Sequence, residues 1–334
     1  MSIHILATEH MEGLATKVYE RLKDKDFLYG EVQYVTFSSQ EVKSRIPTTV
    51  RREHTYLFHS LYHPNPNDAI MKLLLTNDAL ARASAESITL VLPYMSYLRQ
   101  DRKDESRVPI SARVMANLIE TNPKVGKIIT LDMHCDQIQG FYNISLDNLP
   151  ASLMQAEYFQ KKYGADLSDL VVVSPDYGGA KRAREFARFL DDRDEIGVME
   201  KRRSGDRANK VETLGYQGPS VNGKNIVLYD DMIDTGGSII SAAKALHDLG
   251  AKTVYAAASH GIFSRPNADT TAEERLRKAG IQVVVTDSIP RSEEYQREHA
   301  DWLTMLPLDK MLAEAVLETS KVGGSVSSLF RGRK

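Results

Sequence analysis

The chain has 334 residues, 42% of them apolar, and a formal net charge of −2, which suits two α/β domains and gives no general attraction to nucleic acid. Its single cysteine, Cys135, excludes an internal disulfide framework and fits a reducing compartment. No apolar run approaches the ~20 residues that span a bilayer, and the first ten residues carry no secretory pattern, so a cytoplasmic protein without a membrane segment is expected.

Short apolar runs predict strands at 3–7, 55–59, 88–92, 127–131, 170–173, 225–229, 253–258 and 282–286. Between them lie stretches of helical spacing at 11–22, 68–83, 109–120, 153–162, 179–190, 238–249 and 272–278. In the third of these, Ile110, Val114 and Leu118 recur every four residues behind Pro109, which is expected in the first turn. Strand–helix alternation of this kind implies parallel sheets with crossover helices. Three strands end alike, at Pro93, Pro175 and Asp230, and such carboxyl-end loops are where α/β proteins put ligands. The similarity hints at two related domains, with a boundary near Asn148-Leu149-Pro150.

Five segments carry chemistry, the first being Pro93–Asp104. Its Tyr94, Tyr97, Arg99 and Gln100 offer rings to stack on, and groups to bond, a nucleotide base or its phosphates. Next, Asp132, His134 and Asp136 follow a strand and are expected to alternate onto one face, a divalent-metal or phosphate site. Cys135 then points the other way, into packing. Third, Val173-Ser174-Pro175-Asp176-Tyr177-Gly178-Gly179 puts a carboxylate and two glycines at a helix start. Asp176 is a metal candidate there, and Lys181 and Arg182 are either anion contacts or solvated cations.

The fourth segment, from Met199 to Arg207, reads as a mobile polar loop, by itself a solvated charge run and, near two phosphate-binding loops, a cationic loop of the type that neutralises a transferring phosphoryl group. The fifth is the most informative: Val227-Leu228-Tyr229-Asp230-Asp231-Met232-Ile233-Asp234-Thr235-Gly236-Gly237-Ser238. Paired glycines bring backbone N–H groups to phosphate oxygens, Thr235 and Ser238 add hydroxyls, and the helix start favours an anion. Asp230 and Asp231 are ill placed for phosphate but suit sugar hydroxyls or a divalent cation. A molecule with phosphate at one end and a polyol at the other, such as a pentose phosphate, fits both. No G-x-x-x-x-G-K-[ST] is present, which excludes a P-loop kinase.

Over nearly its whole length the chain resembles the ribose-phosphate diphosphokinase (phosphoribosyl-pyrophosphate synthetase) family. The resemblance is carried by P-Y-M-S-Y-L-R-Q-D-R-K from Pro93, V-P-I-S-A-R from Val108 and L-D-M-H-C-D-Q-I-Q-G-F-Y from Leu131. V-V-V-S-P-D-Y-G-G from Val171, K-R-R from Lys201 and the segment from Val227 complete it. It implies an α/β fold of two similar phosphoribosyltransferase-type domains, each a mostly parallel sheet flanked by helices. Residues 1–148 would be the ATP side with subunit contacts, and 149–305 the ribose 5-phosphate and catalytic side. Residues 306–334 would be a helix and tail packed on the N-terminal domain.

The implied reaction converts ATP and ribose 5-phosphate to 5-phosphoribosyl 1-pyrophosphate and AMP with Mg²⁺, in homodimers that build a hexamer. By the same resemblance, Lys201 and Arg203 are catalytic, and Phe37, Glu41, Arg99, Gln100 and Asp101 bind ATP. Asp230, Asp231, Asp234, Thr235, Gly236, Gly237 and Ser238 take ribose 5-phosphate, and His134 and Asp176 associate with the metal. The chain departs from the family's F-S-D-G-E segment, having Phe37-Ser38-Ser39-Gln40-Glu41, and has Asn143 where many relatives have Asp. Two alternatives stay open: a transferase that consumes the pyrophosphate product, and a silent regulatory homologue.

Overall fold

The computed structural model describes residues 2–204 and 211–330, without the side chains of 201–204 and 211–214. They fall into two compact units. One runs to Leu149 and adds Ser288–Pro290 and the chain from Pro307 onward; the other holds Pro150–Asp287 and Arg291–Leu306.

The first unit begins β1 (Ile3–Ala7), α1 (Glu12–Leu22), β2 (Phe27–Glu31), then a hairpin of β3 (Gln33–Thr36) and β4 (Val42–Arg45). It continues β5 (His54–Phe58), α2 (Pro66–Arg82), β6 (Ser87–Leu92), α3 (Ser111–Ile119), β7 (Val125–Leu131) and β8 (Ser145–Leu149). Six of these strands form one sheet in the order β2-β1-β5-β6-β7-β8, every pairing parallel. The core beneath it includes Leu57, Leu90, Ile128 and Met115.

The second unit runs α4 (Ser152–Tyr163), β9 (Leu170–Ser174), α5 (Ala180–Asp191), β10 (Gly197–Ser204), β11 (Val211–Gln217) and β12 (Asn225–Ile233). It closes with α6 (Gly237–Asp248), β13 (Thr253–Gly261), α7 (Ala272–Lys278), β14 (Gln282–Thr286), α8 (Glu293–Glu298) and β15 (Leu303–Leu306). The sheet order is β11-β10-β9-β12-β13-β14-β15, parallel except for the antiparallel β10–β11 pair. Along β12, Ile226 and Leu228 enter one apolar cluster while Val227 and Tyr229 enter another. Helices cover both faces, so the strand reads as a continuous apolar run rather than an alternating one. The last helix, α9 (Asp309–Ser320), belongs to the first unit, where Asp309 pairs with Arg21 and Thr319 meets the Tyr56 hydroxyl at 2.9 Å.

Several expectations need correction. Pro109 lies outside α3, whose N-cap is Ile110. The helix start is instead tied to the preceding loop, with Ser111 Oγ donating to Gln100 Oε1 at 2.7 Å and Ala112 N–H to the Gln100 carbonyl. Asp132, His134 and Asp136 do not alternate on a strand. β7 ends at Leu131, Asp132 takes φ +29°, and a 3-10 turn begins at Asp136.

Of the segment expected as a loop from Met199 to Arg207, residues 199–204 are part of β10, their backbone held in register by β11, and residues 205–207 lie outside the described residues. Strand β12 does not stop before Asp230 either; it runs on to Ile233 because β13 pairs with it as far as Gly261. Sequence periodicity also missed β2, β3, β4, β8 and β15, which are short or half-exposed edge elements. Among the described residues no helix is long and apolar enough to cross a membrane.

Candidate active site

In the second unit, β12 delivers two carboxylates and then a turn. Asp230 retains 27% of its side-chain exposure, whereas Asp231 is buried at 3%. Arg182, from the first turn of α5, donates through Nη1 to Asp230 Oδ1 at 2.9 Å and to Asp231 Oδ1 at 3.2 Å. The Asp231 N–H also reaches Asp230 Oδ1, at 2.9 Å. Burial, then the adjacent Asp231 charge, pushes the Asp230 carboxyl up to about 7, and Arg182 pulls it partly back.

After Ile233 the chain turns through Asp234, Thr235 and Gly236 into α6. Gly236 is the N-cap, at φ +72°, and no side chain caps this helix start. The turn demands glycine twice over, since a Cβ there would also meet Leu276 Cδ2 at 3.1 Å. Arg275 of α7 holds the turn from behind, donating to the Thr235 carbonyl at 3.1 Å. Uncapped N–H groups, a left-handed turn and the exposed Ser238 form an anion seat at the positive end of a twelve-residue helix.

Strand β9 contributes a second loop to this unit. Ser174 Oγ donates to the Asp176 carbonyl at 2.7 Å, and Asp176 Oδ1 accepts the Gly179 N–H at 2.9 Å. A Cβ at Gly179 would sit 2.8 Å from Ser174 Oγ and 3.8 Å from Asp230 Oδ1, so glycine lets α5 start against both. Asp176 is exposed and keeps its second carboxylate oxygen, a donor suited to Mg²⁺, which takes one or two carboxylates and retains waters.

In the first unit the candidate nucleotide residues stand on neighbouring strand ends. Arg99, exposed, and Gln100 and Asp101, half-buried, lie on the loop after β6; half-buried His134 follows β7. The two loops are joined by the Cys135 thiol, which donates to Asp101 Oδ2 at 3.0 Å. Burial first, and this carboxylate next, push the thiol up to about 11, so it stays protonated and donating. Cys135 is therefore a linker between loops, not the inert packing residue expected.

Phe37 and Glu41 sit at the tip of the β3–β4 hairpin, the Phe37 N–H bonded to the Glu41 carbonyl at 2.8 Å. Phe37 is half-exposed, Gln40 takes φ +70°, and Ser39 Oγ donates to Glu41 Oε2 at 2.7 Å. The backbone of Lys201 and Arg203 lies in β10 opposite Leu214 and Glu212, and the side chains of both lie outside the described residues.

The structure thus gathers Asp230, Asp231, Asp234, Thr235, Gly236, Gly237 and Ser238 at one strand end, with Asp176 on the loop that follows the neighbouring strand β9. Sequence reasoning missed Arg275 and left Arg182 undecided between anion contact and solvated cation. The available signal was position: Arg182 falls three residues after Gly179, one helical turn into a helix that starts at the ligand-facing edge.

Fold and loop together define a phosphoribosyltransferase-type α/β protein, whose other unit is likewise built on a parallel sheet. The family model for the N-terminal domain of ribose phosphate pyrophosphokinase matches residues 3–122, and that for the phosphoribosyl transferase domain matches 145–294. The chain is 42% identical over 318 residues to ribose-phosphate pyrophosphokinase 1 of Lactococcus lactis, covering 95% of this chain and 92% of that protein. It is equally identical over 312 residues to ribose-phosphate pyrophosphokinase 1 of Listeria monocytogenes, covering 93% and 92%. The crystal structure of phosphoribosylpyrophosphate synthetase from Mycobacterium smegmatis superposes with a TM-score of 0.83 at 34% identity, covering 96% of this chain and 99% of that one. The chain belongs to the ribose-phosphate pyrophosphokinase family.

Proposed function

We propose that this enzyme transfers the diphosphoryl group of ATP to the C1 hydroxyl of ribose 5-phosphate, giving 5-phosphoribosyl 1-pyrophosphate and AMP for nucleotide biosynthesis. The observation that carries this reading is the β12–α6 turn: an uncapped helix start behind a left-handed Gly236, with Asp230 and Asp231 just upstream. The 5-phosphate takes the N–H groups and hydroxyls from Asp234 to Ser238. The ribose hydroxyls donate to the upstream carboxylates, of which Asp230 is the accessible one. The C1 oxygen attacks the β-phosphorus in line, and the bond from that phosphorus to the oxygen it shares with the α-phosphate breaks. AMP leaves with the bridging oxygen, and the proton of the C1 hydroxyl passes to solvent. Lys201 and Arg203 neutralise the charge that develops on the transferring group.

Arg99, Gln100 and Asp101 bind the ATP phosphates and ribose, and Phe37 and Glu41 take the adenine. By family likeness Asp176 and His134 are the residues associated with Mg²⁺, which when bound would offset the charge of the ATP phosphates. By family likeness the hairpin tip at 37–41 serves the ATP site of a neighbouring subunit, in a homodimer that builds a hexamer. A cytoplasmic location accords with these substrates and with the lone thiol. Incubation with ATP, ribose 5-phosphate and Mg²⁺, following AMP and the pyrophosphorylated sugar, tests the reading. One AMP per sugar product is expected. Activity only with the pyrophosphorylated sugar as substrate would make the chain a transferase, and no turnover with either would make it a silent homologue.

A further inference from the structure

We propose that Arg182 is a positioning residue for the ribose seat, bridging Asp230 and Asp231 so that two adjacent carboxylates stay side by side, compensated, and ready to accept a diol. One nitrogen, Nη1, reaches both carboxylates, at 2.9 and 3.2 Å. Two neighbouring anions in a partly buried strand end repel, and the simplest reliefs are protonation of one or rotation of one away. Either would remove an acceptor from the pair. The bridge opposes both, and it does so on one side only: Asp230 Oδ1 takes the Arg182 and Asp231 N–H bonds, which leaves the Oδ2 side toward a hydroxyl donor.

The delivery of this cation is built into the backbone. Arg182 stands in the first turn of α5, and its reach depends on that helix beginning hard against Ser174 and Asp230. Gly179 permits the approach, and the Asp176 carboxylate pins it through the Gly179 N–H. Asp231, buried at 3%, then serves mainly as the second anchor of the bridge, while Asp230 faces the ligand. The neighbouring Lys181 is exposed and lies near Glu185, at 3.8 Å, so the two adjacent cations on this turn are not equivalent.

The inference rests on Asp230 and Asp231 being the ribose seat. Steady-state KM values for both substrates should be measured for R182Q, R182K, the double variant R182Q/D231N, and D230N, each with a thermal melt. R182Q should raise the ribose 5-phosphate KM tenfold or more and leave the ATP KM within twofold. R182K, which keeps the charge, should recover most of that loss. R182Q/D231N, which removes one of the two repelling charges, should improve on R182Q at least threefold. Should R182Q fail to fold, R182K and the double variant decide alone: both folded with the ribose 5-phosphate KM nearer wild type than that of D230N supports the bridge. A purely structural role would lower the melting temperature and move both KM values together, and that result overturns the proposal. If D230N weakens ribose 5-phosphate and R182Q does not, the bridge is wrong and the seat stands. If D230N leaves that KM unchanged, the seat itself is wrong and the bridge falls with it.

Discussion

Replacing Gly236 by alanine separates the cost of the phosphate turn from its benefit. The residue sits at φ +72°, where an L side chain costs roughly 1–2 kcal/mol. The new Cβ would also lie 3.1 Å from Leu276 Cδ2 and 3.2 Å from its Cγ, close enough that α7 must yield by a few tenths of an ångström. Overpacking of this kind adds about 1 kcal/mol, for a total of roughly 2–3 kcal/mol. In a unit of this size each kcal/mol lowers the melting temperature by about 2–4 °C, so a fall of roughly 4–12 °C is expected.

Gly237 is the control. Its φ is not left-handed, its nearest neighbour is Thr235 Oγ1 at 3.8 Å, and it is the first residue of α6, where alanine is favourable. G237A should therefore melt within about 1 °C of wild type, although either variant crowds the bound phosphate. Thermal melts with and without ribose 5-phosphate, alongside AMP-release kinetics, read both effects. G236A should also raise the ribose 5-phosphate KM and leave the ATP KM unchanged. Equal destabilisation by the two substitutions, or an unchanged melt for G236A, would falsify the argument from backbone strain.

Three further outcomes are expected. Lys201→Ala should lower kcat on the order of 10²-fold with KM values nearly preserved, because its charge is wanted in the transition state; a near wild-type kcat removes it from the catalytic group. Asp230 has a folded-state carboxyl raised to about 7 against an unfolded value near ~3.9, so its stabilising contribution is complete below ~4 and is lost as pH rises through about 7. Asp230→Asn should therefore gain melting temperature over the wild type as pH goes from 5 to 8, by the equivalent of roughly 2–4 kcal/mol, while binding ribose 5-phosphate more weakly; a difference independent of pH would mean the carboxyl is not shifted. Gln40 holds φ +70° at the hairpin tip and Ser39 occupies the Glu41 carboxylate, so Ser39→Asp with Gln40→Gly should relieve roughly 1–2 kcal/mol of strain and move the kcat/KM ratio toward ATP over GTP. An unmoved ratio would make this departure from the family pattern structural only.

Local chemistry settled much of this protein in advance. Continuous apolar runs such as Leu170–Ser174 and Gln282–Thr286 are strands because a sheet covered on both faces needs apolar residues at every position. The segment from Asp230 to Ser238 shows its purpose in one dimension, since carboxylates, paired glycines and the helix start all lie within nine residues. The edge strands β2, β8 and β15 are less legible, being short and only partly buried, and β10 reads as a polar loop because three successive cations, Lys201, Arg202 and Arg203, mask a strand that exists through pairing with β11. What each polar side chain faces was decided by the tertiary structure alone. Arg182 and Asp230 are 48 residues apart, and Cys135 and Asp101 are 34 apart. The buried state of Asp231 follows from β13 pairing beyond it to Gly261, and the backstop on Thr235 comes from a helix forty residues downstream. Periodicity reports which face of an element is apolar; which neighbour that face meets depends on strand order and crossover, and those are fixed only when the whole sheet assembles.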